Sequence, residues 1–297
     1  MTKDEMLVFV ENKFPDLPLN KVQTNSIGWD NDILIVNEEI VFRFPKSDEL
    51  LSKIEDEGKI LEILKTQKPL LFLPSYEYLY RNNALKGVKY DFMKGSSLSE
   101  FPVSKLRDNP FNAKGIGDFL TKLHSIELSK LHHSNVGTTH SLKYWENLYA
   151  MVERDVFPFL ASGQQHKISE LFSEFLERLP ALTNKKTIIH GDLTAANIIY
   201  NHEKECINGI IDFTDAQLGD PAFDFAGLYW DFGLEFTKDV LRWYRSTENK
   251  EALLNRVKTF YGLQPVFHEL LYAVNHNHQI NWDTALKKFN RLYQLAK

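Results

Sequence analysis

Cysteine is nearly missing from this 297-residue chain, which contains only Cys206. An internal disulfide is therefore excluded, and a single thiol suits a protein of the reducing cytosol. Long apolar runs are missing too, since no stretch approaches the roughly 20 apolar residues that a membrane-spanning helix needs. The N-terminal residues Met1–Glu5 are polar and acidic, unlike the basic and then apolar start of a secretory signal. These absences favour a cytoplasmic protein without a membrane partner.

An excess of positive charge is absent as well. The chain has 35 Lys and Arg against 40 Asp and Glu, which gives a formal net charge of −5. Proteins that bind nucleic acids concentrate Lys and Arg on one face, so this balance argues against a nucleic-acid partner. Apolar residues are plentiful: 43% of the residues are hydrophobic and 13% are aromatic, which is enough for the cores of two lobes.

The strongest functional signal lies in residues 190–197, with the sequence His-Gly-Asp-Leu-Thr-Ala-Ala-Asn, and in Asp212, which follows fifteen residues later in Ile-Ile-Asp-Phe. Kinase-type phosphoryl transfer needs a carboxylate that orients the attacking hydroxyl and accepts its proton. It also needs an amide and a second carboxylate that hold magnesium ions on the nucleotide phosphates. Asp192, Asn197 and Asp212 supply these groups in that order. We therefore predict a phosphotransferase with Asp192 as the base and with Asn197 and Asp212 as Mg²⁺ ligands.

The flanking residues predict how these groups meet. β-Branched and apolar runs at Thr187–Ile189, 198–200 and 207–211 favour strands on both sides of the loop. The last two runs would form a hairpin whose ends bring Asn197 and Asp212 together. His190 would brace the loop through hydrogen bonds, because Asp192 already fills the role of base. The alternative is a hairpin in an ordinary α/β protein, with Asn and Asp as turn and cap residues.

Three segments resemble the aminoglycoside phosphotransferase family, and a fourth resembles one branch of it. The three segments are 190–197, 209–213 and 219–226, and residues 41–46, Val-Phe-Arg-Phe-Pro-Lys, are similar to the branch that modifies the 2″-hydroxyl of gentamicin- and kanamycin-type drugs. The resemblance covers about 26–230. It implies an α+β, two-lobed, protein-kinase-like fold, ATP or GTP as phosphoryl donor with Mg²⁺, an aminoglycoside as acceptor, and antibiotic resistance. By position, Asp224 would brace the catalytic loop from the start of a buried helix.

The chain divides into a predicted nucleotide-binding N-lobe, 1–93, and a mainly helical C-lobe, 94–297, that carries the catalytic loop and the substrate-binding helices. In the N-lobe we expect a helix over 4–13 with Leu7, Val10 and Phe14 as its apolar stripe. A hairpin of strands 32–36 and 40–44 follows, and then a helix over 47–65. In the C-lobe the apolar spacing predicts helices over 111–125, 145–160 and 165–179.

A basic residue paired with a glutamate is expected near the nucleotide phosphates. The glutamate is Glu57, on the predicted helix. Its partner is either Arg43, inside the preceding strand, or Lys46, just after Pro45. Protein kinases place a Lys within this strand, so the sequence departs from their pattern and leaves both cations open. The alternative is that Arg43 is a solvated charge on an edge strand.

The rest of the nucleotide site is predicted from a loop and a hinge. The sequence has only 14 glycines and no Gly-x-Gly-x-x-Gly, so the phosphate loop is assigned to 24–31, where Ser26 and Gly28 would supply hydrogen-bond donors. Residues 90–98 fit an extended hinge that offers backbone groups to a purine. Asp91, Phe92 and Met93 are the candidate residues there, although a plain strand-to-turn transition explains the same pattern.

The substrate residues are predicted from charge. No Lys or Arg occurs from Glu205 to Thr237, whereas that stretch contains seven acidic residues. Four of them, which lie just beyond the magnesium ligand in the sequence, have no other assignment: Asp215, Asp220, Asp231 and Glu235. A carboxylate-lined cleft attracts polycations, and aminoglycosides carry several ammonium groups. Glu269 and Tyr272, on a late helix, would line the same site. Alternatively, Asp220 caps a helix that begins at Pro221, and the other carboxylates are solvated.

Two other functions remain open. A kinase of another small alcohol, such as a macrolide, choline or an amino-alcohol, would keep the catalytic residues and change only the acidic pocket. For choline, Tyr229, Trp230 and Phe232 offer an aromatic cage. A non-catalytic nucleotide-binding scaffold is disfavoured, because it has no need of a base. A protein kinase is disfavoured too, since no Ala-Pro-Glu segment follows Asp212. We expect a monomer, and the choice between ATP and GTP stays open.

Overall fold

A five-stranded antiparallel sheet forms the N-terminal part of the fold. The computed structural model describes residues 1–25, 30–100, 103–131, 134–182, 186–276 and 282–295. The sheet order is β1-β2-β3-β5-β4, with bounds β1 (Val22–Asn25), β2 (Asn31–Val36), β3 (Ile40–Pro45), β4 (Glu77–Arg81) and β5 (Ala84–Asp91). The predicted β2–β3 hairpin is confirmed, and Asn37 and Glu38 in its turn have φ angles of 56° and 55°, as a type I′ turn requires.

Helix α1 (Lys3–Lys13) covers this sheet with a different face from the predicted one. Thr2 and Glu5 form a capping box at its start. Met6, Phe9 and Val10 are buried on it, so the expected stripe of Leu7, Val10 and Phe14 was wrong except at Val10. Leu7 and Phe14 are only partly buried, although both pack against the same cluster. The error arose because two apolar sets with helical spacing overlap in this segment, and only the packed sheet decides between them.

Helix α2 (Asp48–Thr66) connects the two parts of the molecule. Ser47 caps its first turn, as the predicted start at residue 47 implied. Ile60, Leu61 and Leu64 of its last turns are buried in the large core of the C-terminal part rather than against the N-terminal sheet. The predicted lobe boundary at residue 93 falls between β5 and the next strand, and it stays a prediction.

The C-terminal part is mainly helical. Its α-helices are α3 (Pro110–His124), α4 (Leu142–Met151), α5 (Ser162–Leu182), α6 (Ala226–Trp243), α7 (Lys250–Arg256), α8 (Pro265–Asn275) and α9 (Trp282–Gln294). Short 3₁₀ helices span Leu98–Glu100, Val103–Asp108, Leu128–Leu131, Phe157–Phe159, Ala195–Asn197 and Pro221–Phe225, and π-helical turns span Val152–Val156 and Val257–Tyr261. Among the described residues, no helix combines the length and the apolar composition that crossing a bilayer requires. The α+β, two-lobed class expected from the sequence is confirmed.

Five short strands surround the predicted catalytic loop. They are β6 (Ser96–Ser97), β7 (Thr187–Ile189), β8 (Ile198–Asn201), β9 (Cys206–Ile210) and β10 (Gln217–Gly219). β8 and β9 form the predicted hairpin, with β6 added at its edge, and β10 pairs with β7. The segment 190–197 therefore leaves one small sheet and enters the other, with residue 212 between β9 and β10.

Helices α3 and α6 pack closely where α3 has a glycine. A Cβ atom added to Gly117 would lie 2.7 Å from Cβ of Trp243 and 2.8 Å from the carbonyl oxygen of Val240. Gly163, near the start of α5, is a matched control because nothing lies within 4 Å of an added Cβ atom. The interface between α3 and α6 thus needs a residue without a side chain at position 117.

We expect Gly117→Ala to lower the free energy of unfolding by about 1–3 kcal/mol, because the new methyl group overpacks a helix interface. Gly163→Ala should be neutral or stabilising by up to about 1 kcal/mol, because alanine restricts the unfolded chain. Urea unfolding followed by circular dichroism measures both. Equal effects of the two substitutions would contradict the assignment of a tight contact at Gly117.

Candidate active site

A buried carboxylate holds the start of the loop. Asp224, 1% exposed, accepts hydrogen bonds from the backbone N–H of His190 at 2.8 Å and of Gly191 at 3.0 Å. The ring of His124 lies 3.0 Å from the same carboxylate. Burial alone would raise the pKa of Asp224, but the bonds and charges of His124 and His190 hold it below its usual value. The loop is therefore anchored to a charged group inside the core.

The side chain of His190 ties the two ends of the site together. Its Nε2 lies 3.1 Å from the carbonyl oxygen of Ile211, and its ring packs against Phe119 and Phe213. Burial lowers the pKa of His190, which favours the neutral ring. The contacts are those of a bracing residue, the role that the sequence suggested.

Gly191 permits a close approach of the two loops. Its φ angle is 81°, a left-handed conformation that side chains rarely adopt, and an added Cβ atom would lie 2.1 Å from the carbonyl oxygen of Asp215. The glycine therefore allows the segment after Asp212 to lie directly against the catalytic loop.

Asp192, Asn197 and Asp212, which we call the catalytic group, converge. Nδ2 of Asn197 donates to Oδ2 of Asp192 at 2.7 Å and to its carbonyl oxygen at 2.9 Å. The backbone N–H of Ile211 donates to the carbonyl oxygen of Asn197 at 3.0 Å, which fixes Asp212 beside the loop. Asp212 has a φ angle of 62°, a costly conformation that is concentrated at functional sites. The convergence expected from the hairpin is thus present.

The carboxyl of Asp192 has an unusual proton affinity. Burial raises its pKa to about 7, and the carboxylates of Asp215 and Asp212 act in the same direction. The hydrogen bond from Asn197 opposes the rise. A carboxylate with a pKa near 7 is poised to accept a proton at neutral pH.

Arg43, and not Lys46, lies at the site. Its Nη2 donates to Oε2 of Glu57 at 2.6 Å, with both side chains under 5% exposed, and its Nη1 lies 3.7 Å from Oδ1 of Asp212. Burial disfavours the charged guanidinium, yet its acidic neighbours keep the pKa of Arg43 above the usual value. Nζ of Lys46 instead lies 3.9 Å from Asp32. The idea that Arg43 is a solvated edge charge is wrong, because the side chain is buried in the pair.

Tyr76 completes this pair, and sequence reasoning missed it. Its hydroxyl donates to Oε2 of Glu57 at 2.8 Å, and its ring lies 5.2 Å from the Arg43 guanidinium carbon. Tyr76 comes from the irregular segment before β4, where no motif marked it. His124 was missed for a similar reason, because a single histidine on an apolar helix carries no signal of its partner.

The donor set suits a hard divalent cation. Oδ1 of Asp212 accepts a hydrogen bond from the Thr214 hydroxyl at 2.6 Å, which leaves Oδ2 of Asp212 for a metal. The Asp212 side chain is 40% exposed. Asn197 uses its amide N–H on Asp192, so its amide oxygen is the group it can offer a metal. Among the described residues no cluster of three His, Cys, Asp or Glu could hold a metal alone. Two protein oxygens completed by phosphate oxygens and water match the way Mg²⁺ is bound.

The predicted phosphate loop and hinge are only partly placed. Ser26 and Gly28 lie outside the described residues. Asp91, Phe92 and Met93 line a cavity of about 640 Å³, but no member of the catalytic group lines it. The backbone N–H of Phe92 donates to the carbonyl oxygen of Glu39 at 2.7 Å, so that donor is already used. The structure thus does not bring these three side chains to the catalytic group, and a purine contact there stays a prediction.

The predicted substrate carboxylates do not form one surface. Asp215 lies beside the catalytic group, and burial raises its pKa. Asp231 accepts from the backbone N–H of Ala195 at 2.9 Å, and the Glu269 carboxylate accepts from Nε1 of Trp230 at 2.9 Å. Glu235 is exposed on α6 and pairs with Lys238 at 3.0 Å.

Tyr272 and Asp220 each contact another residue of the chain. The ring of Tyr272 stacks on His276. The assignment of Asp220 to the substrate needs correction. Its carboxylate caps the turn at Ala222, and its two oxygens bind Arg256 at 2.8 and 2.9 Å. Arg256 arrives from α7, about 36 residues downstream, which the local sequence could not indicate.

Comparison with known proteins agrees with this geometry. The sequence model of APH, the phosphotransferase enzyme family, matches residues 21–254. Viomycin phosphotransferase of Streptomyces vinaceus is 23% identical over 188 residues, 59% of this chain, and the match spans only 62% of that protein's length.

Two solved structures share the fold. The GDP complex of aminoglycoside 2′-phosphotransferase-IIIa superposes with a TM-score of 0.80 at 23% identity over 100% of both chains. Macrolide 2′-phosphotransferase type I superposes with a TM-score of 0.64 at 20% identity over 98% of this chain and 97% of its own. The kinase-like fold is therefore shown, and because the family match covers more than half of the chain, the protein belongs to the phosphotransferase enzyme family.

Proposed function

We propose that the protein transfers the γ-phosphoryl group of ATP or GTP to a hydroxyl of an aminoglycoside and so confers antibiotic resistance. The observation that carries the proposal is the convergence of the catalytic group, in which Asn197 orients Asp192 beside Asp212. Relatives that act on aminoglycosides, viomycin and macrolides, according to their names, support a small-molecule acceptor. The resemblance of residues 41–46 to the 2″ branch supports the 2″-hydroxyl as the acceptor.

The residues have distinct tasks in this scheme. Asp192 accepts the proton of the acceptor hydroxyl, and the amide of Asn197 fixes the carboxylate so that the hydroxyl is held in place. Arg43, held by Glu57 and Tyr76, attracts the nucleotide phosphates. Asn197 and Asp212 would hold Mg²⁺, which would supply positive charge to the nucleotide phosphates.

A kinase of another small alcohol is the second candidate. It is favoured by the fold shared with a macrolide phosphotransferase. It is also favoured by two cations of the chain itself, because Arg256 pairs with Asp220 and Lys238 pairs with Glu235. A screen of nucleotide consumption against aminoglycosides, macrolides and choline separates the two candidates. Turnover with an aminoglycoside supports the proposal, and turnover with macrolides or choline alone would replace it.

Asp192→Asn and Asp212→Asn should fail in different ways. We expect Asp192→Asn to lower kcat by about a thousandfold, because the base is lost, with nucleotide affinity changed by less than about threefold. Asp212→Asn should weaken nucleotide binding by about tenfold or more in the presence of Mg²⁺ and little without it. Calorimetry with and without the metal, beside steady-state kinetics, measures both. Substantial turnover by Asp192→Asn would remove Asp192 from the role of base.

The rate should rise with pH through the titration of Asp192. Only the deprotonated carboxylate accepts a proton, so kcat/KM for the nucleotide, which reports free-enzyme groups, should increase to a plateau with an inflection near the pKa of about 7. In Asp215→Asn one like charge is gone, so the inflection should move down by about 0.5–1 pH unit. Glu177→Gln, an exposed change on α5, is the control. An inflection that stays in place in Asp215→Asn would contradict the coupling.

A matched pair of variants decides between the two cations. Arg43→Met alone would leave Glu57 as a buried unpaired charge, at a cost of about 3–5 kcal/mol, so Arg43→Met is combined with Glu57→Gln. This double variant should lower kcat/KM for the nucleotide by about a hundredfold, because the phosphate contact is lost. Lys46→Met should change it by less than about threefold. Thermal melting checks that each variant is folded, and the reverse order of effects would assign the phosphates to Lys46.

A further inference from the structure

A lysine of the chain itself lies on the aromatic ring that adjoins two of the predicted substrate carboxylates, Asp231 and Glu269. Nζ of Lys288, on α9, lies 4.0 Å from the centre of the Trp230 ring, well within cation–π range. The edge of the same indole donates from Nε1 to the Glu269 carboxylate at 2.9 Å. Asp231, the next residue along α6, reaches the catalytic loop at Ala195. Lys288 thus lies on the Trp230 ring. That ring donates a hydrogen bond to Glu269, and Asp231 is the residue next to Trp230 in the sequence.

The charges around Lys288 agree with this geometry. Burial lowers the pKa of Lys288, and Arg291 acts in the same direction, whereas the carboxylates of Asp231 and Glu269 raise it. Burial raises the pKa of Asp231, and the hydrogen bond from Ala195 and the charge of Lys288 oppose this rise. The ammonium group is therefore partly desolvated, and the charges of these two carboxylates oppose the effect of burial.

The contacts of its neighbours hold the backbone of Lys288 in place. Its neighbour Phe289 is 2% exposed and packs on Phe267, and the hydroxyl of Tyr229 donates to the carbonyl oxygen of Leu292 at 3.1 Å. These contacts dock α9 on α6 and α8. The flexible four-carbon stem of a lysine can still carry its ammonium group away while the helix stays in place.

We propose that Trp230, Asp231 and Glu269 form an ammonium subsite of the acceptor site, and that Lys288 fills this subsite and limits the positive charge of the acceptors that the enzyme accepts. The inference rests on the proposed function. An acceptor ammonium group enters the subsite only by displacing Lys288, and until then the two like charges repel each other. An acceptor with several ammonium groups meets this repulsion more strongly than one with a single amine, such as a macrolide.

The chain offers a matched set of variants. Lys288→Met removes the charge and retains an unbranched apolar stem that can cover Trp230. Lys288→Arg keeps the charge. Lys287→Met removes the same charge from the neighbouring exposed position on α9, which is the control for a general change in surface potential.

The experiment measures kcat and KM for kanamycin, a polycationic aminoglycoside, at low and high salt. We expect Lys288→Met to raise kcat/KM about tenfold at low salt through a lower KM, with kcat changed by less than about twofold. Lys288→Arg should resemble the wild type, and Lys287→Met should change kcat/KM by less than about twofold. High salt should reduce the gain, because screening weakens the repulsion that Lys288 exerts in the wild type.

The outcomes separate the two proposals. If the wild-type enzyme turns over kanamycin and Lys288→Met brings no gain, the inference fails while the proposed function stands. An equal gain in Lys287→Met would also overturn it, because the effect would then be one of overall charge. If no aminoglycoside serves as an acceptor for the wild-type enzyme, the proposed function fails and the inference fails with it.

Discussion

The structure depends on one buried carboxylate, that of Asp224. An unpaired charge at that depth would cost several kcal/mol, so it is tolerated only because hydrogen bonds meet it from His124 and from the backbone of His190 and Gly191. Since those donors belong to the catalytic loop and to α3, the requirement to satisfy the charge determines where the loop lies. The buried core thus determines the position of Asp192, which does not depend on a flexible surface segment.

The anchoring of the loop also brings negative charges close together, which is unfavourable. The anchored loop places the carboxylates of Asp192, Asp212 and Asp215 near one another, and their repulsion adds to the effect of burial on the pKa of Asp192. Asp212 also holds a left-handed backbone conformation. Arg43, 3.7 Å from Asp212, offsets only part of this negative charge. A bound divalent cation would offset the surplus negative charge of this site, and this agrees with our proposal that Asn197 and Asp212 hold Mg²⁺.

Sequence reasoning succeeded where the determinants are local. The β8–β9 hairpin, the cap at Ser47 and the order of the catalytic group follow from short-range patterns, and the structure contains them. It failed where two apolar sets overlapped, as in α1, and where the partner is distant in sequence. Tyr76 and Arg256 show the second kind of failure, because nothing near either residue indicates the group that it binds. The choice between Arg43 and Lys46 also needed the position of α2.

The acidic stretch shows why charge counted along a chain differs from charge in space. Asp220 and Asp231 belong to a segment without Lys or Arg, yet Arg256 of α7 forms an ion pair with the first, and the charge of Lys288 on α9 acts on the second. Helices from beyond the catalytic segment therefore set the net charge of its surroundings. Since an ammonium group is recognised by unneutralised carboxylates and aromatic faces, we expect the choice of acceptor to depend on those late helices. The residues to which we assign the transfer, by contrast, lie in the loop and directly beside it, so we expect that acceptor preference can change in this fold without disturbing them.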